Sequence, residues 1–108
     1  MNAPSLLHAA DDNFDSEFPG CVLTHCFYLT GDQTDIAVAA LTAISHIGAK
    51  LDGMSRSRTG GAMHHKLRVT GIKPKEARSL VGRLAMMPGV TCATVEHLIS
   101  PAPSSLLG

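Results

Sequence analysis

The feature that most constrains the fold is a strand–helix–strand pattern that occurs twice in a short chain. In the second unit, the residues from Leu67 to Leu98 read LRVTGIKPKEARSLVGRLAMMPGVTCATVEHL. A strand-like run is followed by a proline that suits the first turn of a helix, and Pro88 and Gly89 mark the end of that helix. A second β-branched run follows. This alternation predicts a sheet covered by helices.

The first unit has the same order. CVLTHCFYLT, residues 21–30, is rich in β-branched and aromatic residues and predicts a strand. In the following GDQTDIAVAALTAISHIG, Asp32 is a suitable N-cap with Asp35 three residues later, and Gly48 supplies the C-terminal stop. Apolar residues recur there at helical spacing. The predicted apolar stripe consists of Ile36, Ala40, Ala43, Ile44 and Ile47.

A predicted hairpin lies between the two units. AKLDGMSRSR is a weaker strand pattern, TGGA is a glycine-rich turn, and MHHKLRVTGI alternates clearly. In the alternating strand, Met63, His65, Leu67 and Val69 share one face, while His64, Lys66, Arg68 and Thr70 share the other. The order β-α-β-β-α-β predicts an α+β, ferredoxin-like fold, with two helices on one face of a four-stranded antiparallel sheet.

The length of the chain limits it to one domain. Its 108 residues allow a single small core. Residues 1–20 are acidic and show no sustained period, and residues 100–108 are rich in proline and serine. We expect both ends to be flexible, because such segments cannot easily offset the entropy of ordering. The predicted domain therefore covers residues 21–99.

Composition bears on location and redox state. No apolar run approaches the roughly 18 residues that a membrane-spanning helix needs. The N-terminal residues also lack the basic start and apolar block of a signal peptide. We therefore expect a cytoplasmic protein with no membrane partner. The cysteines, Cys21, Cys26 and Cys92, are odd in number and predict reduced thiols without a disulfide framework.

Charge is distributed unevenly, although the formal net charge is zero. Residues 1–48 carry six acids and no lysine or arginine, whereas residues 49–108 carry three acids and all nine bases, for a net charge of +6. Such asymmetry either attracts an anionic partner or lets the two segments screen each other. The candidate anion-binding residues are Arg56, Arg58, Lys66 and Arg68, with Lys66 and Arg68 expected on the sheet face away from the helices and joined there by the two arginines.

Three stretches resemble the ACT domain family, the small-molecule-binding regulatory modules of amino-acid metabolism. They are FYLTGDQTDIAVAALTAI, the basic hairpin GMSRSRTGGAMHHKLRVTGI, and LAMMPGVTCATVEH with its Pro-Gly-Val turn. The resemblance implies a homodimer that binds a small ligand such as an amino acid between paired domains. It also implies that the first strand–helix loop takes part. The candidate ligand-binding residues are therefore Gly31, Asp32, Gln33, Thr34 and Asp35.

This loop departs from the family pattern, which often reads Asp-x-Pro-Gly. Asp32 is kept, while Thr34 and Asp35 stand in place of proline and glycine. A glycine lets a ligand approach the free N–H groups at a helix start, whereas Asp35 adds a side chain and a negative charge. We therefore expect a carboxylate to bind less well at this loop than it does in the family.

Metal and cofactor binding are not indicated by the spacing of the histidines and cysteines. His64 and His65 are adjacent on a strand and point to opposite faces, so they cannot hold one ion jointly. Cys21 and Cys26 do not form a CxxC motif, and structural zinc sites use tighter, repeated spacings. We expect neither a metal site nor a cofactor.

Two other functions stay open as alternatives. A sheet of the RNA-recognition type binds nucleic acid through aromatic residues on its open face, where Tyr28 is the one candidate, so that function rests on charge. A small enzyme of this fold would use His25 or His65 as general base in a cleft. No nucleophile elbow, phosphate loop or carboxylate pair is present, so no residue is assigned as catalytic.

Overall fold

The computed structural model describes residues 18–32 and 36–101, and there the strands and helices follow the predicted order. The elements are β1 (Cys21–Gly31), α1 (Ile36–His46), β2 (Lys50–Thr59), β3 (Ala62–Thr70), α2 (Pro74–Ala85) and β4 (Val90–Pro101). The strands form one antiparallel sheet in the order β2-β3-β1-β4. The predicted ferredoxin-like α+β fold is therefore confirmed. The expectation of flexible ends concerns mainly residues 1–17 and 102–108, which lie outside the described residues.

The core lies between the two helices and one face of the sheet. Phe27 of β1 lies opposite Leu67 of β3, and both side chains are fully buried. Helix α1 covers this face with its predicted apolar stripe, although Ala43 and Ile47 pack only at the margin, and α2 covers it with Ala77, Leu80 and Leu84. The core consists of Phe27, Leu29, Ile36, Ala40, Ile44, Leu67, Val69, Ile72, Ala77, Leu80 and Leu84.

Helix α2 begins as the sequence predicts. Pro74 occupies the first turn, where its missing N–H costs nothing. The backbone N–H of Lys73 donates to Glu76 Oε1 at 2.8 Å, and the negative charge of Glu76 suits the positive end of the helix dipole. Helix α1 is described from Ile36, and the predicted capping arrangement of Asp32 and Asp35 is not tested, because residues 33–35 lie outside the described residues.

The hairpin between β2 and β3 has a tight turn and one irregularity. Thr59 pairs with Ala62, so Gly60 and Gly61 form a two-residue turn, and Gly60 adopts a φ of 62°. Further along, the pairing skips Asp52, which is the extra residue of a β-bulge. The short turn fixes which side chains of β2 and β3 share a face of the sheet.

The end of β1 is held against the loop that precedes β4. A Cβ atom on Gly31 would collide with the side chain of Ile36 and with the backbone carbonyl of Gly89. The pairing of β1 with β4 shifts at the same point, between Thr30 and Gly31. Only glycine allows this approach, so Gly31 sets where the loop from β1 to α1 begins.

The described residues include all three cysteines and both helices. Cys21, Cys26 and Cys92 are free, with Cys26 buried and Cys92 exposed. Within residues 18–32 and 36–101, no helix has both the length and the hydropathy to cross a bilayer.

Candidate functional site

On the helix-facing side of the sheet, cross-strand rows change from apolar to polar toward the end of β1. Residues opposite each other in antiparallel strands project to the same face, so the strand register defines these rows. From the core outwards the rows are Phe27–Leu67–Met54, Leu29–His65–Arg56 and Gly31–Met63–Arg58. The polar end adjoins the loop that leads into α1. We call Gly31, Asp32, Arg56, Arg58, Met63 and His65 the loop-end site.

His65 is the most unusual residue of the loop-end site. Its side chain is 1% exposed, and neither ring nitrogen has a hydrogen-bond partner in the part of the chain that the structure describes. Burial lowers the pKa of His65 below its ordinary value of 6.5, and the positive charges of Arg56 and His64 lower it further. The ring is therefore neutral at pH 7. A buried polar group without a partner costs about 1–3 kcal/mol.

The lowered pKa of His65 predicts a loss of stability in acid. The imidazole of His65 takes up a proton at a higher pH in the unfolded chain than in the folded chain. The stability that depends on the neutral ring is therefore fully present above about pH 6.5, and it is lost as the pH drops through the folded pKa. We expect His65→Leu to remove this part of the acid loss and to raise the free energy of unfolding at neutral pH by about 1 kcal/mol. Urea unfolding of both proteins across this pH range measures the difference.

His64→Leu is the matched control, because His64 is adjacent in sequence but lies on the opposite face and meets Thr30 Oγ1 at 3.3 Å. It should retain the acid loss that is due to His65. A His65→Leu variant less stable than the wild type at every pH would contradict this account of the buried ring.

The four candidate anion-binding residues lie on two faces of the sheet. Arg56 lies opposite His65 and Arg58 lies opposite Met63, so both arginines belong to the helix-facing side. Lys66 and Arg68 project to the open face, as expected. The structure therefore does not bring the four cations together as one patch. It places Arg56 and Arg58 on β2 instead, with β3 between them and the end of β1.

On the open face, charged groups have partners. Arg68 forms an ion pair with Asp52 at 3.1 Å, and Lys66 Nζ lies 5.8 Å from the centre of the Tyr28 ring. The Tyr28 hydroxyl donates to Glu96 Oε1 at 3.0 Å, and this hydrogen bond is the main reason why the pKa of Tyr28 is raised above 10.0. A depression of about 280 Å³ is lined by Tyr28 and Lys66 of this face and also by Arg56 and His65. Glu96 and the single aromatic ring make this face poorly suited to nucleic acid.

His25 is buried on the helix-facing side, and its ring links β1 to two other segments. Nε2 lies 2.8 Å from the carbonyl oxygen of Ile72, so this nitrogen carries a proton and donates it. Nδ1 lies 2.8 Å from Nδ1 of His97 on β4. Because both nitrogens are engaged inside the protein, His25 is badly placed to act as a general base. No feature of the sequence indicated the contact between His25 and His97.

Metal ligands do not converge in residues 18–32 and 36–101, where no group of three or more His, Cys, Asp or Glu side chains comes together. His64 and His65 point to opposite faces, as their adjacency on a strand predicts. The loop-end site combines a buried polar side chain, that of His65, with two exposed arginines, Arg56 and Arg58, in its own row and the next.

Of the predicted ligand-binding residues, two are described. Gly31 is buried at the end of β1, and Asp32 is exposed directly after it. Gln33, Thr34 and Asp35 lie outside the described residues. Sequence reasoning placed His65 on the core-facing side but did not associate it with the loop. The signal available was a polar residue at an apolar position of the alternating strand.

Comparison with known proteins identifies the fold. No protein-family model matches the chain, and no curated protein matches its sequence significantly. Similar solved structures include the C-terminal domain of the MgtC protein from Mycobacterium tuberculosis, at 15% identity and a TM-score of 0.63, over 74% of this chain and 90% of that one. The ACT domain of GTP pyrophosphokinase from Chlorobium tepidum matches at 18% identity and a TM-score of 0.55, over 72% and 99%.

A third similar structure is the regulatory subunit of aspartate kinase from Thermus thermophilus, at 20% identity and a TM-score of 0.54. The match covers 71% of this chain and 54% of that subunit, so it spans about half of the subunit. The chain therefore has the fold of ACT domains, and the resemblance indicated by the sequence is confirmed for the fold. Function depends on the site, because one fold carries many functions.

Proposed function

We propose that this chain is a regulatory module that binds a small amino-acid-type ligand at the loop-end site and acts as a homodimer. The ACT-like fold supports the class of function by analogy. The loop-end site supports the kind of ligand. No chemical reaction is assigned to the chain.

The observation that carries this proposal is the arrangement of charge around the end of β1. Asp32 is an exposed acid directly after Gly31, while Arg56 and Arg58 are exposed cations in the adjacent rows of the helix-facing side. Helix α1 starts against Gly31 through Ile36 and adds the partial positive charge of its N-terminus. A zwitterion matches this pattern, because its carboxylate suits the arginines and its ammonium group suits Asp32.

This arrangement also offsets the departure of the loop from the family pattern. The acids of GDQTD weaken a carboxylate site that relies on the helix N-terminus alone. Arginines on β2 supply the missing positive charge from a different element. Gln33, Thr34 and Asp35 belong to the proposed site through the resemblance to ACT domains.

Pairing is proposed at the exposed edge formed by β4. This strand runs from Val90 to Pro101 and pairs with β1 along its length, and no other strand of the described residues pairs with its second edge. Leu98 and Ile99 are each 46% exposed there, and β4 carries no lysine or arginine. The opposite edge, β2, has a bulge and two arginines, features that discourage strand pairing. A two-fold pair at β4 would let a ligand favour one arrangement of the subunits.

A thermal-shift panel of the twenty amino acids tests the ligand proposal. An amino acid present at a hundred times its Kd stabilises the folded state by about 2.7 kcal/mol, which raises the Tm of a domain of this size by several degrees. We expect at least one amino acid to stabilise the protein. Its analogue without the amino group, such as propionate for alanine, should stabilise it less. A flat panel would contradict the proposal.

Light scattering tests the proposed pairing. We expect a dimer at micromolar concentration, and we expect Ile99→Lys to shift it toward monomer because a lysine on a sheet edge opposes pairing. Val38→Lys is the matched control, since Val38 is 66% exposed on α1, away from the strand edges. A wild-type monomer, or equal effects of the two substitutions, would argue against β4 as the interface.

A further inference from the structure

We infer that the ring of His65 takes up a proton when the carboxylate of a small zwitterion binds beside Arg56 in the loop-end site. Ligand binding therefore becomes tighter as the pH falls. The inference rests on the proposed function, since it assigns a role within the same site. It adds a residue on β3 that the strand–helix loop does not include, and it makes the sensor responsive to pH.

The first support is the absence of a partner for His65. Both ring nitrogens are buried without a hydrogen bond in the described part of the chain. The other strand histidines differ, since His64 meets Thr30 while His25 and His97 meet each other. Buried polar groups in proteins are nearly always satisfied, so the missing partner of His65 points to a group outside the described residues, and we assign that role to the ligand.

The second support is the charge around the ring. Arg56 lies opposite His65 on β2, and Arg58 lies one row further toward the loop. On the other side, β1 contributes Leu29, which is apolar. The first turn of α1, the helix that starts against Gly31, has no acid. The nearest described acid in the β1 sequence is Asp32, which directly follows the last residue of this strand. The neighbouring His64 points to the opposite face of the sheet.

These surroundings explain why proton uptake accompanies binding. Without a ligand, burial and Arg56 both disfavour the charged ring. A carboxylate at Arg56 reverses the second effect, because an anion within about 4–6 Å favours the imidazolium by about one pKa unit or more. The proton comes from solvent and stays on the ring nitrogen, which donates a hydrogen bond to the carboxylate. No covalent step is involved.

Isothermal titration calorimetry tests the inference, with the strongest stabiliser among the twenty amino acids as the probe and inorganic phosphate as the second probe. We expect wild-type affinity for the amino acid to be about tenfold tighter at pH 5.5 than at pH 7.5, the range where histidine charges. His65→Gln should bind with nearly equal affinity at both values. His64→Gln, on the opposite face, should retain the wild-type pH dependence.

Each outcome bears on one of the two claims. Amino-acid binding that is independent of pH, or that keeps its pH dependence in His65→Gln, overturns the role of His65 and leaves the proposed function standing. Binding of phosphate but of no amino acid overturns the carboxylate assignment. The absence of any binding overturns both claims, because the ring then has no anion to meet.

Discussion

Replacing Gly31 with alanine is expected to destabilise the domain by about 3 kcal/mol or more, at the upper end of the range for overpacked sites. The added Cβ atom collides with the Ile36 side chain and with the carbonyl of Gly89. A side chain can rotate away, but a backbone carbonyl moves only with its loop. The start of α1 and the loop before β4 must therefore separate. Urea unfolding gives the change in the free energy of unfolding.

Gly82→Ala is the matched control for this prediction. Gly82 lies inside α2, is exposed, and has open space where its Cβ atom would be. Alanine there should stabilise the domain by about 0.5–1 kcal/mol, because glycine is a poor helix former. The two substitutions are chemically identical and are expected to have effects of opposite sign. A Gly31→Ala variant as stable as the wild type would contradict the close approach of the two loops.

Replacing Phe27 with alanine is expected to cost about 3–5 kcal/mol, since it removes a large side chain from a site that cannot collapse. Phe27 is fully buried in β1, the strand that pairs with both β3 and β4. Domains of this size are stable by only about 5–15 kcal/mol, so the variant should be close to unfolding at room temperature. Urea unfolding followed by circular dichroism measures the loss.

Val38→Ala is the control for the loss of an apolar side chain. Val38 is apolar but 66% exposed on α1, and surface substitutions of this kind usually change stability by about 0.5 kcal/mol or less. A small effect of Phe27→Ala, comparable to that of Val38→Ala, would mean that the core is not centred on the row formed by Phe27 and Leu67.

The sequence was sufficient to predict the order of the elements and the core-facing residues of β3. Alternation in MHHKLRVTGI put Leu67 and Val69 on the core side, and Pro74 and Gly89 marked the ends of the second helix. These features are local, so a single sequence contains them. The contact between Gly31 and Gly89 is different, because it depends on the approach of two loops that are distant in sequence.

The sequence contains enough information to place Arg56 and Arg58 on the helix-facing side, but both were expected on the opposite face. A two-residue turn at Gly60 and Gly61 pairs Thr59 with Ala62, and the pairing then places Arg58 opposite Met63. Counting back from this turn puts both arginines on the helix-facing side. The expectation that Arg56 and Arg58 join Lys66 and Arg68 was based on charge alone. It did not use the register of β2 and β3, which decides the face of each side chain.

The hydrogen-bond partners of the histidines could not be predicted from the sequence. His25 and His97 meet because β1 and β4 pair, and the carbonyl of Ile72 reaches Nε2 of His25 from a loop. His65 was predicted on the core side, but whether it has a partner there depends on everything packed around it. Tertiary packing determines these contacts, and it is also what makes His65 notable.

The most direct test of the loop-end site is a ¹H–¹⁵N NMR titration with the amino acid that stabilises the protein most. The proposed function predicts that the largest backbone shifts occur at Gly31, Asp32, Met63 and His65, with smaller changes at Tyr28 and Arg68 on the rest of the sheet. Shifts centred on the open face around Tyr28 and Arg68, or no shifts with any amino acid, would contradict it.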